Sequence, residues 1–370
     1  MLKKFFLRFF LVFISIVVSL IIVEYSLKKY LSLKAIKEFE NFKKVHKNLI
    51  DEAPYPDNSP IGELSYFWDP YIGFRFKPDQ KTLNRTIDNY GFHNDKVYSK
   101  EKPENIIRIM LLGGSVAEGR ADSETITHYL ENNFKKIKPN IEVINCGITG
   151  MMSTQERILF INEVLDFKPD IVLFLDGVNE FTPLRYNLKP GEYFYWFIGQ
   201  YGISGGQPFS ILFKNFLIKI KLKLIESSVI FRIFFQLLGD DTQFSGKNIK
   251  DDDINKAVEI YLKNVDIIRL IATAKNIKTL FFIQPILFDK KFFSLEEKYI
   301  IDKMPSRVKY LYISGYEKLK KISKEKNLIL LTDIFDNEKK QIFIDFCHLK
   351  PKGNEIVSLK MMDEILKLIK

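Results

Sequence analysis

Four short segments of the 370-residue chain carry residue types that can act together in one reaction. They provide a hydroxyl nucleophile, small residues with accessible backbone N–H groups, a side-chain amide, and an acid three residues before a histidine. The segments are Gly113-Gly114-Ser115, Asn145-Cys146-Gly147, Gly177-Val178-Asn179 and Asp345-Phe346-Cys347-His348. Each is ambiguous by itself, but the ordered set indicates nucleophilic chemistry on an acyl group.

The role of each residue follows from its chemistry. Asp345 can accept the Nδ1–H of His348 and leave Nε2 free, so these two residues are the predicted acid and base. Ser115 is the predicted nucleophile. The backbone N–H groups of Ser115 and Gly147 and the side-chain amide of Asn179 are predicted to form an oxyanion hole, which stabilises a tetrahedral intermediate.

Other interpretations of the same segments compete with these roles. A Gly-Gly-Ser turn could belong to a dinucleotide-binding loop, but the GxGxxG spacing and the acid after the second strand are missing, and a P-loop would need a closing Gly-Lys-Ser/Thr. Asp333 and Asp336 are rival acids, ranked below Asp345. Cys146 and Cys347 are either two buried thiols, which we favour, or a disulfide in an oxidising compartment.

The elements that must position these residues are parallel strands. Apolar, β-branched runs typical of strands buried on both faces alternate with helical patterns, which predicts a parallel sheet with right-handed crossovers. The runs are 106–112, 141–144, 171–175, 280–283 and 328–331. Three of the four segments then lie at the carboxyl edge of the sheet, where ligands bind in such folds. Ser153 and Glu156 predict a capping box at the start of the second helix.

Two regions depart from this alternation. Residues 27–104 combine a Lys-rich stalk with an accessory segment that is rich in Pro, Asp, Asn and aromatics and that we expect to pack on the core domain, residues 105–370. Residues 183–250 form an insertion with aromatic and Lys-containing apolar stretches. This insertion is interpreted equally well as a lid or membrane-surface helix and as an ordinary helical pair.

The N-terminus predicts a membrane anchor over residues 1–26. Residues 9–23 are apolar apart from two serines, and Lys3, Lys4 and Arg8 precede them as a cytoplasmic flank would. No small-residue cleavage site follows, which favours an uncleaved single-pass anchor over a signal peptide. The remaining chain is then expected on the extracytoplasmic side.

The composition of the chain limits the classes of partner that we expect it to bind. The net charge of +10 is spread along the chain with acids interleaved and without a nucleic-acid motif, so we expect no nucleic-acid partner. A cationic exterior instead suits anionic lipid or an acidic glycan. The four histidines are scattered, and neither a zinc spacing nor a nucleotide loop is present, so we expect no metal and no cofactor.

The four blocks resemble the SGNH (GDSL-type) hydrolase superfamily, named for its Ser, Gly, Asn and His. The matching residues are Ser115, Gly147, Asn179 and His348, with Asp345 in the usual acid position, and the resemblance covers residues 105–370. It implies a flavodoxin-like three-layer α/β/α sandwich with a five-stranded parallel sheet.

Smaller features refine this resemblance. The turns at 73–75 and 89–92 resemble the membrane-anchored bacterial branch of the superfamily. Three positions depart from the common pattern: Gly114 and Glu180 stand where many members carry Asp, and His93 stands where that branch often has Arg.

The resemblance implies a serine esterase that forms an acyl-enzyme. With the predicted anchor, the expected substrates are O-acyl groups, above all O-acetyl groups, of cell-envelope glycans or lipids. Two alternatives stay open: an O-acyltransferase that uses the same triad, and a non-catalytic glycan-binding or assembly protein on the same fold.

Overall fold

The computed structural model describes residues 18–30, 64–192 and 249–369, and ten single residues between these ranges and near the N-terminus. The chain divides into two units. One comprises residues 62–208 and 243–370, and the other comprises residues 1–61 and 209–242. Every predicted site residue lies in the first of these units.

A five-stranded parallel sheet forms the centre of the larger unit, as predicted. The apolar runs become β5 (Ile107–Gly113), β6 (Ile141–Asn145), β7 (Ile171–Asp176), β8 (Lys278–Ile283) and β9 (Ile329–Leu330). Their spatial order is β6-β5-β7-β8-β9, with β5 paired to both β6 and β7. All six residues of β7 are buried, because helices cover both faces of such a sheet.

Helices connect the strands and form the two outer layers. They are α1 (Ser115–Glu118), α2 (Ile126–Lys135), α3 (Ser153–Asn162), α4 (Val178–Arg185), α5 (Asp251–Ala274), α6 (Leu295–Lys303), α7 (Ser306–Ser323) and α8 (Pro351–Leu368). The chain leaves β5 in one direction to reach β6 and then crosses back to β7, β8 and β9. Right-handed crossovers therefore place α2 on one face of the sheet and the helices α3, α4, α5 and α7 on the other. The contacts agree: α2 packs on α8, whereas α5 packs on α3, α4 and α7.

The part of the accessory segment that the structure describes, from residue 64 onwards, packs on this sheet and belongs to the same unit. It contains an antiparallel hairpin, β1 (Tyr66–Asp69) with β2 (Gly73–Phe76), and a short antiparallel pair, β3 (Gln80–Lys81) with β4 (Thr86–Ile87). The aromatic side chains of β2 are buried in the same hydrophobic cluster as the central strands.

Several predicted features fall largely outside the described residues: the anchor at 1–26, the stalk, and most of the insertion at 183–250. Residues 18–30 are helical, and Glu24 accepts hydrogen bonds of 2.9 Å from the Ser228 hydroxyl and from the Ile230 N–H within the smaller unit. None of the helices that the structure describes has the length and apolar character needed to cross a membrane.

Candidate active site

The predicted nucleophile and base are in direct contact. Ser115 is the first residue of α1 and follows the end of β5 after one residue, Gly114, so it lies at the carboxyl edge of the sheet. Its Oγ is 2.7 Å from Nε2 of His348, although 233 positions separate the two residues in sequence. The hydroxyl proton can therefore move directly to the imidazole when Oγ attacks an acyl carbon.

Asp345 completes the triad. Its Oδ2 is 2.6 Å from Nδ1 of His348, which fixes the tautomer with Nε2 available as base. Its Oδ1 accepts hydrogen bonds from the backbone N–H groups of Cys347 and His348, both at 2.8 Å. The same carboxylate therefore also stabilises the backbone turn that carries the base. The rival acid Asp336 instead pairs with Lys291 at 2.5 Å.

Electrostatics keep the acid charged and the base strong. Burial disfavours the Asp345 carboxylate, but the charge and ring N–H of His348 and two backbone N–H groups hold the pKa of Asp345 well below its usual range. Burial lowers the pKa of His348, yet the neighbouring Cys347 and Asp345 raise it to well above its ordinary value. His348 is therefore a strong proton acceptor for the serine.

The two cysteines are free, buried thiols. Burial and the Asp345 charge raise the pKa of Cys347 to about 11, so this thiol stays protonated at neutral pH and does not compete with Ser115 as nucleophile. Ligand-type atoms of Asp345, Cys347 and His348 lie within 4.8 Å of one another. Both ring nitrogens of His348 are hydrogen-bonded within the triad, Nε2 to Ser115 and Nδ1 to Asp345.

A buried ion pair holds the loop that carries the acid and base. Lys290 and Glu297 have fully buried side chains, with Nζ and Oε2 2.6 Å apart. The other oxygen of Glu297 accepts the backbone N–H groups of Ile342 and Phe343 at 2.8 and 3.1 Å, and Lys290 donates to the Lys340 carbonyl at 2.7 Å. The segment leading to Asp345 is therefore fixed by charge-assisted hydrogen bonds.

The Asn179 amide is packed beside the nucleophile turn. It lies in the first turn of α4, and its Nδ2 donates to the Met151 carbonyl at 2.8 Å, which sets the plane of the amide and leaves a second N–H for an oxyanion. A Cβ atom on Gly114 would lie 2.1 Å from this Nδ2. Here the amide occupies the space that a side chain at position 114 would need.

Gly147 lies against the end of α1, where a Cβ atom would come within 2.4 Å of the Glu118 nitrogen. Its N–H donates to Oδ1 of Asn145 at 2.9 Å. An oxyanion would have to share or replace that bond, so the role of Gly147 as a donor stays a prediction. Within the part of the chain that the structure describes, the Ser115 N–H makes no hydrogen bond, as expected for the first N–H groups of a helix.

One sequence prediction at the site is wrong. Ser153 and Glu156 do not form a capping box, because α3 begins at Ser153 itself, after Met152. The Ser153 N–H and hydroxyl instead donate to Glu180 of the neighbouring helix α4 at 2.6 and 2.9 Å. The local cap lies one residue earlier, where the Gln155 side-chain oxygen accepts the Met152 N–H at 3.3 Å. Glu156 is fully buried beside Asp176.

Three buried carboxyl groups underlie the site, and sequence patterns did not reveal them as a group. Burial raises the pKa of Glu156, Asp176 and Glu180, and their mutual repulsion adds to the effect on Glu156 and Glu180. Burial and the two neighbouring acids therefore favour the neutral, protonated form of Glu156. The one sequence feature that could have indicated this group is Asp176, a charged residue at the end of an otherwise apolar buried strand.

Comparison with known proteins shows similarity in fold to solved structures. No protein-family model matches the chain, and no curated protein matches it. Among solved structures, an acetyl xylan esterase matches this chain with a TM-score of 0.39 and 16% sequence identity. The match covers 70% of this chain and 100% of the esterase chain. Axe2, an acetylxylan esterase from Geobacillus stearothermophilus, has a TM-score of 0.39 and 14% identity, covering 70% and 94%.

A GDSL-like lipase from Parabacteroides merdae has a TM-score of 0.37 and 15% identity, again covering 70% and 94%. Likenesses at these TM-scores and identities do not establish an activity for the chain. The assignment of the site therefore depends on its own residues. The five-stranded parallel sheet is the one that the sequence resemblance to the SGNH (GDSL-type) hydrolase superfamily implies, and Ser115, His348 and Asp345 are in contact within it.

Proposed function

We propose that the protein is a serine esterase that cleaves O-acyl esters through an acyl-serine intermediate. The observation that carries this proposal is the continuous hydrogen-bonded chain from Ser115 through His348 to Asp345, with bonds of 2.7 and 2.6 Å. The Asn179 amide beside the nucleophile turn supplies an oxyanion donor.

The reaction follows from this geometry. Ser115 Oγ attacks the ester carbon while its proton passes to Nε2 of His348, and the carbonyl oxygen becomes an oxyanion that receives the free Asn179 N–H. Collapse breaks the bond to the alcohol, which takes the proton from Nε2. Water then attacks the acyl carbon while Nε2 accepts its proton. The bond between that carbon and Ser115 Oγ breaks, the carboxylic acid leaves, and Nε2 returns the proton to Oγ. Asp345 stabilises the imidazolium at each stage.

The proposed substrates are O-acetylated glycans or lipids of a cell envelope. The apolar N-terminal run with its basic flank supports anchoring at a membrane with the catalytic unit outside. The cationic chain, with a net charge of +10, suits an anionic envelope surface.

The test is ester hydrolysis by the full chain with 4-nitrophenyl acetate and an O-acetylated glycan. Ser115→Ala should lose about 10³-fold or more in kcat, whereas Ser323→Ala, a change to a buried serine at the end of α7, should retain wild-type activity. Full activity in Ser115→Ala would refute the proposal.

The same acyl-serine would serve an O-acyltransferase. Supplying a glycan acceptor together with the activated acetyl ester, and measuring acetyl-glycan against free acetate, separates the two reactions. Excess acetate identifies an esterase, and excess acetyl-glycan identifies a transferase.

A further inference from the structure

Glu118 is a buried acid that the reaction itself does not use. It is the last residue of α1, the helix that begins with Ser115, and only 2% of it is exposed. One carboxylate oxygen pairs with the guanidinium of Arg85 from the accessory segment. The other accepts the backbone N–H and the hydroxyl of Thr149, at 2.6 and 2.5 Å.

Thr149 belongs to the loop between β6 and α3 that also contains Gly147. The backbone carbonyl of Glu118 contacts the same region, because it accepts the side-chain N–H of Asn145 at 3.0 Å. Asn145 Oδ1 in turn holds the Gly147 N–H at 2.9 Å. Glu118 therefore joins the nucleophile helix to the predicted oxyanion loop through both its side chain and its backbone.

The accessory segment supplies the other side of this network. Arg85 is 93% buried and lies over the Phe76 ring at 5.3 Å, so its charge depends on Glu118 for compensation. His93, also buried, bonds the Glu118 carbonyl through Nδ1 at 2.8 Å and Asp122 through Nε2 at 2.9 Å.

We propose that Glu118 is a positioning residue that locks the nucleophile helix to the Gly147 loop, and that the accessory segment completes the active site through Arg85 and His93. The inference rests on the proposed serine hydrolase function. Glu118 acts through Ser115 and Gly147 and does not touch substrate. Residues before position 105 are then needed for catalysis as well as for stability.

A second ion pair in the chain provides a matched control. Arg75, also from the accessory segment and also buried, pairs with Glu163, with one bond of 2.8 Å. Glu163 follows the C-terminal end of α3, about 15 Å along that helix from the site loops. Glu118→Gln and Glu163→Gln thus each remove a carboxylate that pairs with a buried arginine of the accessory segment, one at the site and one away from it.

The experiment measures kcat, KM and thermal stability for both variants in the full chain, together with the rate at which a fluorophosphonate labels Ser115. Both variants should lose thermal stability. Glu118→Gln should lower kcat and the labelling rate by about 10- to 100-fold with KM little changed, because the misplaced groups act in the transition state. Glu163→Gln should keep both rates within about twofold of wild type.

Equal kcat for the two variants, whether both normal or both reduced in line with their stability, would overturn the inference. If Glu118→Gln does not fold, Thr149→Val serves instead, because it removes one bond to the same carboxylate at constant shape. It should lower kcat severalfold, and an unchanged kcat would overturn the inference. Failure of the proposed function is distinguishable, because the wild type itself would then hydrolyse no ester or Ser115→Ala would stay active.

Discussion

Replacing Gly114 by alanine should disable the oxyanion hole without altering the triad. The new Cβ atom would lie 2.1 Å from Nδ2 of Asn179, and real Cβ contacts are essentially never below 3.0 Å. The amide must therefore retreat by roughly 1 Å, and its 2.8 Å bond to Met151 is disturbed as well. Aspartate, which the family resemblance places at this position, should be at least as harmful in this chain.

The magnitude follows from the role of the amide. Removal of one oxyanion donor typically costs about 3 kcal/mol of transition-state stabilisation, which is a factor of about 10² to 10³ in kcat. Gly114→Ala displaces the donor rather than removing it, so we expect kcat to fall by about 10²-fold, with a smaller change in KM.

The assay is a double-mutant cycle with Asn179→Ala, followed by ester hydrolysis and checked by thermal unfolding. If Gly114→Ala acts through the amide, adding it to Asn179→Ala should reduce kcat little further. Additive losses, or a Gly114→Ala variant with normal kcat, would refute the argument that the amide is displaced.

Three further predictions concern charged groups. Because the pKa of His348 is raised, the rise of kcat/KM with pH, which follows loss of the His348 proton, should be centred above pH 6.5. Asp345→Asn should move this rise to lower pH and reduce kcat. A rise that stays at the same pH in Asp345→Asn would contradict the pairing of Asp345 with His348. The folded protein keeps the Glu156 proton that the unfolded chain releases above pH 4.5, so stability should fall by about 1.4 kcal/mol per pH unit as the pH rises towards its folded pKa. Glu156→Gln should remove that component from urea unfolding measured between pH 5 and 8, and an unchanged slope would refute it. Glu297→Gln leaves Lys290 buried and uncompensated and should lower the free energy of unfolding by about 3 to 5 kcal/mol, whereas a loss below 1 kcal/mol would show that the pair is not structural.

The sheet and the pairing of Asp345 with His348 were predictable because their signals are local. An apolar run such as 171–175 has no polar face, so it must be buried on both sides, and β7 (Ile171–Asp176) has that burial. The spacing of Asp345 and His348 places acid and base on one turn, and the structure places Ser115 against that base.

The supporting contacts were not predictable, because each joins positions far apart in sequence. Ser153 followed by Glu156 matches a capping box, yet the local cap of α3 lies one residue earlier, at Met152 and Gln155, and Ser153 bonds to Glu180 of another helix. Likewise, Glu118 is an ordinary residue for a short helix. Nothing in the sequence around it indicates that Arg85, 33 residues earlier, pairs with its carboxylate.

Covalent labelling tests the central claim most directly. The full chain is incubated with a fluorophosphonate, and its intact mass and proteolytic peptides are measured. The triad predicts one adduct per chain, located on Ser115, lost in Ser115→Ala and strongly slowed in His348→Ala. Esterase activity that persists with no adduct on Ser115, or with labelling at another residue, would contradict the account.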